Sequence, residues 1–266
     1  MALTKQQIVA REGKLTASQV SCLMRGDKQE ILNLWRLLVG DPEYKEPDLS
    51  DIWAINLGEA TEALNLYWFS TKYGQVSRRG EVVCHEGWDW AACTLDGWSD
   101  THKCPIETKH CGGFEKLETL IARYMPQIHW QMLLTGSGKC ALSIIQGARE
   151  PVVEFIPFDA DYAAELLKRA NEFMEHVRNL TPPVVLDPVE PPVVPTKEYD
   201  MRTNNAWVSA AADWLENRLQ SKKFDDATKE LKGLTPNDCI RATGGGVVSR
   251  RDKAGRIRIV GETDAE

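Results

Sequence analysis

The stretch Thr94–His110, "TLDGWSDTHKCPIETKH", decides how this chain is read. Asp96 follows the apolar run Ala91-Ala92-Cys93-Thr94-Leu95, and Glu107 and Lys109 flank a single residue just after Pro105-Ile106. In a β-strand, residues i and i+2 share a face, so Glu107 and Lys109 stand side by side while Thr108 points the other way. If the Asp96 segment is the hairpin neighbour of that strand, Asp96 converges on Glu107. Two readings follow. One is an exposed, salt-bridged hairpin. The other is a magnesium site of two hard oxygen donors, with a lysine beside them to orient or activate a water. Both carboxylates sit where strand sequence is apolar. Burying them without a partner is costly, and a metal offsets that cost, which favours the second reading.

Further candidates lie on either side. Upstream, "DIWAINLGEATEALNLYWFSTKYG" has helical spacing and ends at Gly74, and it carries Glu59 and Glu62 among apolar neighbours. Either can be a solvated helix residue or a third carboxylate. Downstream, "EKLETLIARYMPQIHWQMLLTG" is helical, with a break or kink expected at Pro126. Its Gln127 and Gln131 lie one turn apart, on a face able to look into the same site. Asp100, His102 and His110 are second choices for the metal. At the N-terminal side, Leu15–Leu38 reads as one or two helices, with Thr16 and Ser18 as typical N-cap residues.

Strands are expected from Val76 through Cys84, over "WDWAACTLDG", over "KCPIETKH", and as the pair "KCALSIIQG" and "PVVEFIPF"; Asp159 then caps a helix with an apolar face running from Tyr162 to Val177. The order of helices and strands is that of an α/β core with a mixed sheet rather than a βαβ array. Residues 181–196, "TPPVVLDPVEPPVVPT", hold six prolines and read as a stiff extended linker. Beyond it, residues 197–266 read as a small α+β extension, helical and then a hairpin turning at Lys253–Gly255. Its Lys222, Lys223, Arg250, Arg251, Arg256 and Arg258 can be a solvated face or can touch DNA backbone.

Composition sets outer bounds. The chain has 266 residues, 42% hydrophobic and 27% charged, which suits a soluble protein with a sizeable core. A net charge of −7 argues weakly against nucleic acid, but part of it can be clustered carboxylates awaiting a cation. The seven cysteines form no C-x-x-C pair, so they read as reduced thiols rather than a disulfide or zinc framework. Neither a signal-peptide core nor a run of about 18 apolar residues occurs, which places the protein in the cytoplasm, without a membrane partner.

Taken in order, these residues resemble a known family. Arg11 and Ser18 in "REGKLTAS", Gly58 to Glu62, Asp96-Gly97, Glu107-x-Lys109, and Gln127 in "MPQIHWQM" resemble the PD-(D/E)xK nuclease superfamily, in its bacteriophage lambda exonuclease and YqaJ-type viral recombinase branch. The resemblance spans roughly residues 8–180. It implies a restriction-endonuclease-like α/β core over 1–180, a central mixed sheet flanked by helices, and two Mg2+ ions, with Mn2+ able to substitute. It also implies Asp96, Glu107 and Glu62 as metal ligands, Lys109 positioning the attacking water, and Gln127 in the catalytic set. Arg11 and Ser18 would form a pocket for a terminal 5′ phosphate. Thr108 departs from the usual pattern, since the middle residue of the motif is commonly apolar. Some related nucleases hold an iron–sulfur cluster on four cysteines; the spacing here does not suit one.

The implied activity is 5′-to-3′ exonuclease action on double-stranded DNA ends, leaving 3′ overhangs for phage-type recombination in a bacterial host cytoplasm. A single-strand annealing protein as partner and a toroidal homotrimer are implied with it. An endonuclease of the same fold and a catalytically inactive DNA-end binding module are the alternatives.

Overall fold

The structure is a computed structural model that describes residues 4–195, 197–217 and 221–264; the side chain of Lys222 lies outside the described set. The chain divides into two compact units, Met1–Pro192 and Val193–Glu266.

The first unit opens with α1 (Lys5–Arg11), capped by Thr4, whose side chain accepts from the Gln7 amide while Gln7 returns the bond. Leu15–Thr16 then forms a short strand, β1, followed by α2 (Val20–Arg25) and α3 (Lys28–Leu38). The Leu15–Leu38 stretch is thus two helices preceded by strand. Gly26, at φ 67°, separates the helices, and Asp27 caps the second by accepting from Glu30 N. Helix α4 (Trp53–Tyr73) ends at Gly74 as its sequence indicates. The expected single strand over Val76–Cys84 is instead β2 (Val76–Ser77) and β3 (Val82–His85), because Arg78 and Gly80 take positive φ between them. Then come β4 (Trp88–Thr94), β5 (Gly97–Ser99), β6 (Cys104–Cys111), α5 (Leu117–Thr135), β7 (Lys139–Gln146), β8 (Val152–Pro157) and α6 (Ala160–Arg178). Of the break or kink expected at Pro126, no break occurs: α5 continues through it as one helix.

A five-stranded mixed sheet, ordered β2-β5-β6-β7-β8, holds β6 at its centre. The pair β6–β7 is parallel, joined by the α5 crossover, while the other pairs are antiparallel. Strands β1, β4 and β3 form a second, three-stranded sheet. On one face of the large sheet, α4 buries Leu66 and Phe69 against Cys104, Ile106 and Ala141. On the other, α5 is almost wholly buried, with Trp130, Met125, Ile128 and Met132 inaccessible or nearly so. The proline-rich run does not hang free: Val189 N donates to Met24 O at 2.8 Å, and Arg169 Nη1 donates to Asp187 O at 2.8 Å and to Leu23 O at 3.0 Å. Residues 181–195 form neither helix nor strand, and up to Pro192 the run belongs to the first unit.

The second unit contains β9 (Lys197–Asp200), α7 (Asn205–Asn217), α8 (Ser221–Leu234), β10 (Cys239–Gly244), β11 (Val247–Arg251) and β12 (Ile257–Gly261). Its sheet is ordered β12-β11-β10-β9, and the β11–β12 hairpin turns at Asp252–Gly255 as the sequence indicates. Small as it is, it has its own core. Trp207 and Trp214 pack with Ala210, Ala211, Leu231 and Val247, and Trp207 Nε1 donates to Gly244 O at 2.9 Å. A Cβ at Gly244 would meet Met201 and Arg202 backbone within 2.9 Å, so the strand can approach there only as glycine.

No helix among the described residues is long and apolar enough to cross a membrane.

Candidate active site

Strand alternation sorts the residues of β6 onto two faces. Ile106 and His110 face α4, where Ile106 packs on Leu66 and Phe69 and His110 Nδ1 lies 3.0 Å from Thr61 Oγ1. Glu107, Lys109 and Cys111 face α5. There Gln127 Nε2 donates to Glu107 Oε1 at 2.6 Å and Gln131 Nε2 to Glu107 Oε2 at 2.5 Å. The i, i+4 spacing of the two glutamines on α5 lets each take one carboxylate oxygen. Lys109 Nζ pairs with Glu107 Oε1 at 2.5 Å and lies 4.9 Å from the centre of the Tyr124 ring. Glu107 is only 1% exposed, so the carboxylate is held by three donors in place of water.

Asp96 occupies the link between β4 and β5, next to β6. Its Oδ2 accepts from both Thr108 N and Thr108 Oγ1 at 2.8 Å. The polar middle residue of Glu107-x-Lys109 therefore has a use: it fixes the aspartate. Burial, and then the negative charge of Glu107, push the Asp96 carboxyl up to about 7, against the opposing pull of Lys109 and the Thr108 amide. Burial alone would lower Lys109, but Glu107 and Asp96 more than reverse it and raise the ammonium above its ordinary value. The two carboxylates thus favour the charged form of Lys109.

These groups line one cleft of about 370 Å3. Glu62 reaches it from α4, and its charge adds to the upward push on Asp96. Further lining comes from α1, β1, the residues after β1 and the turn before β3: Gln7, Arg11, Thr16, Ser18, Arg79 and Gly80. Arg11 is half-buried, burial lowers its guanidinium from the ordinary value, and it makes no ion pair among the described residues. Thr94 Oγ1, also on the cleft, is buried without a hydrogen-bond partner.

All seven residues singled out in the sequence, Arg11, Ser18, Glu62, Asp96, Glu107, Lys109 and Gln127, line this cleft. One detail differs from expectation. Ser18 is not a helix cap, since the N-cap position of α2 is Gln19 and makes no side-chain cap bond; the Ser18 hydroxyl instead lies 3.4 Å from that of Thr16. Arg11 is the last residue of α1. Of the second-choice groups, Asp100 and His102 lie elsewhere: Ser77 Oγ donates to Asp100, and His102 packs tilted against Phe155 with ring centres 4.5 Å apart. His110, bonded to Thr61 on the α4 side, lines an adjoining cavity of about 330 Å3 together with Glu62, Asp96 and Lys109. Sequence reasoning missed Arg79 and Thr94. Arg79 follows a positive-φ residue in a turn that carries no periodic signal, whereas Thr94 stands at an alternating position two before Asp96, a signal open to reading.

The donor chemistry fits a hard divalent cation: three carboxylates border one cleft, and Asp96 is raised first by burial and then by the charge of Glu107 beside it. Among the described residues, no three His, Cys, Asp or Glu groups stand together as a ready-made cage. The fit is to an ion held by one or two carboxylates that keeps water elsewhere, which suits magnesium.

The sheet order and the carboxylate–lysine pair on its central strand define an α/β fold with a charged, buried cleft at the β4–β5–β6 junction. Residues 8–138, just under half of the chain, match the family model of the YqaJ-like viral recombinase domain. Every residue of the cleft named above except Gln7 falls inside it. Among solved structures, the chain is similar to the alkaline exonuclease LHK-Exo from Laribacter hongkongensis. The likeness has 19% identity and a TM-score of 0.56, covering 66% of this chain and 94% of that one. Its complex with dAMP gives 21% identity, a TM-score of 0.58 and the same coverage. At these identities the shared property is the fold. Comparison with curated proteins finds no match.

Proposed function

We propose that the protein is a magnesium-dependent exonuclease that takes a double-stranded DNA end, removes nucleotides from the 5′ strand and leaves 3′ single-stranded overhangs for phage-type recombination. The observation that carries this reading is that one cleft is lined both by Asp96, Glu107, Glu62 and a charged Lys109 and by Arg11, Ser18 and Arg79. The match of residues 8–138 to a viral recombinase family model and the fold shared with an alkaline exonuclease support it.

Asp96 and Glu107, with Glu62 beside them, would hold the metal, which supplies Lewis acidity toward the phosphodiester and a more acidic water. Glu107 is pre-set for this by Gln127 and Gln131, which hold its carboxylate in one orientation. Lys109 stays protonated, so its task is to donate a hydrogen bond and stabilise charge rather than to accept a proton. It orients the attacking water and offsets the charge that develops on the phosphate. On the same cleft, the Arg11 guanidinium and Ser18 hydroxyl bind a terminal 5′ phosphate, which sets the register of cleavage from the end. A toroidal homotrimer and a single-strand annealing partner complete the proposal. Sedimentation at micromolar concentration and binding to a purified annealing protein check each.

The test is release of label from linear duplex in Mg2+. Ends bearing a 5′ phosphate should be degraded faster than hydroxyl ends, and closed circles should survive. Cutting of closed circles would instead identify an endonuclease, and binding without any hydrolysis an inactive end-binding module.

A further inference from the structure

The turn between β2 and β3 is fastened on both sides of Arg79. Arg78, at φ 50°, lies over the Trp98 ring, 4.8 Å from its centre, and donates from Nε and Nη2 to the two carboxylate oxygens of Glu81 at 2.7 Å. Gly80, at φ 67°, accepts through its carbonyl from Gln7 Nε2 on α1 at 2.6 Å, and its amide donates to Leu95 O at 2.8 Å. Leu95 N in turn donates to Glu81 O at 2.9 Å. The turn is therefore tied to the helix that carries Arg11 and to the residue next to Asp96. Arg79 itself is exposed, lines the cleft, and has no hydrogen bond, ion pair or ring contact among the described residues.

Three carboxylates line the same cleft, yet Arg79 is not spent on neutralising them. Glu107 takes its donors from Gln127, Gln131 and Lys109, and Asp96 takes its own from Thr108. The carboxylates suit a cation. Arg79, and Arg11 with it, suit an anion that comes from outside. A phosphodiester linkage carries one negative charge, whereas a terminal phosphate monoester carries about 1.5 to 2 at pH 7. One guanidinium balances the first, and two balance the second, each fork able to take two phosphate oxygens. The bond from Gln7 to Gly80 couples the two elements that carry Arg11 and Arg79, which suits two arginines acting on one group.

We propose that Arg79 is a second arginine for the terminal 5′ phosphate, supplying the charge that distinguishes a phosphomonoester end from a hydroxyl end. The identity of the ligand rests on the nuclease reading; the free guanidinium on the cleft rests on the construction of the turn.

The experiment compares digestion of linear duplex with 5′-phosphorylated and with 5′-hydroxyl ends in Mg2+ by wild type, Arg79→Gln and Arg79→Lys, with folding checked by circular dichroism. Since Arg79 has no partner within the described chain, both variants should fold normally. In Arg79→Gln, kcat/KM at phosphorylated ends should fall at least about tenfold, as loss of one charge-assisted contact does, and the fall should lie in KM rather than kcat. Rates at hydroxyl ends should stay near those of the wild type. Arg79→Lys should recover part of the loss, because the charge remains while the fork is gone. Anisotropy without Mg2+ should show the same weakening for phosphorylated duplex alone. An unchanged preference in folded Arg79→Gln would overturn the proposal, and so would equal losses at both kinds of end, which would assign Arg79 to the internal backbone. The nuclease reading fails separately. Wild-type protein that binds phosphorylated ends preferentially, loses that preference in Arg79→Gln and never cleaves contradicts the nuclease and keeps the site, whereas cleavage with a preference that the variant retains does the reverse.

Discussion

The core of the second unit and the floor of the cleft are both buried, and they are built on opposite rules. Around Trp207 and Trp214, buried groups are apolar and the indole N–H groups find partners in Gly244 O and Thr228 Oγ1. Around Glu107, an equally buried position holds a carboxylate, a lysine salt bridge and two glutamines, with a second carboxylate close enough to be forced toward neutrality. The first arrangement stabilises the fold. The second costs stability, because several kcal/mol are lost when ions leave water, and ion pairs of this kind commonly recover less than a hydrophobic replacement would. A protein keeps such an arrangement for chemistry, so mutations should separate the two regions cleanly.

The largest effect expected is on catalysis. Glu107→Gln should reduce hydrolysis of linear duplex by at least about 1,000-fold, as loss of a principal charge-stabilising group does, while leaving the protein folded by circular dichroism. Near-normal turnover would show that the buried carboxylate is only structural. The mirror experiment is Trp207→Ala, which should destabilise the second unit by about 3–5 kcal/mol, the usual cost of emptying a large aromatic site. Denaturant unfolding followed by tryptophan fluorescence checks it.

A smaller effect concerns pH. Because Asp96 is raised to about 7 in the folded state from about 4 unfolded, the metal-free native state holds more protons between those values, so stability falls as pH rises through that window. Magnesium, which favours the ionised carboxylate, should therefore raise Tm more at pH 8 than at pH 5.5, and Asp96→Asn should abolish the difference. Calorimetry with equal shifts at both pH values would contradict the charge account. Smallest should be the effect of Arg11→Gln. It should leave stability within about 0.5 kcal/mol and narrow the preference for 5′-phosphorylated over hydroxyl ends in a competition assay; an unaltered preference would remove Arg11 from the phosphate site.

The cleft was largely legible because strand parity is a rigid rule. Given that Cys104–Cys111 is a strand, Glu107 and Lys109 must share a face, and the apolar sequence before Asp96 places it at a strand end. Helical spacing did the same for Gln127 and Gln131. What escaped was tertiary. Leu15–Thr16 has helix-compatible sequence but pairs with Ala91–Ala92, a pairing between residues far apart in the chain. Proline favoured an extended 181–192, but its docking on Met24 and Arg169 depends on backbone bonds that leave no trace in composition. Ser18 read equally well as cap or ligand, and only the position of Gln19 in the fold decides against the cap.

The most direct test of the central claim, that Asp96 and Glu107 form one cation site with Lys109 as a fixed charge beside it, is Mg2+-dependent digestion of 5′-phosphorylated linear duplex by wild-type protein and by Lys109→Ala. The account predicts steady release of nucleotides by the wild type, none without the metal, and a loss of at least about 100-fold in the variant despite normal folding, in line with removal of one charge-stabilising donor. Digestion that continues without divalent metal, or at the wild-type rate without the lysine, would contradict it.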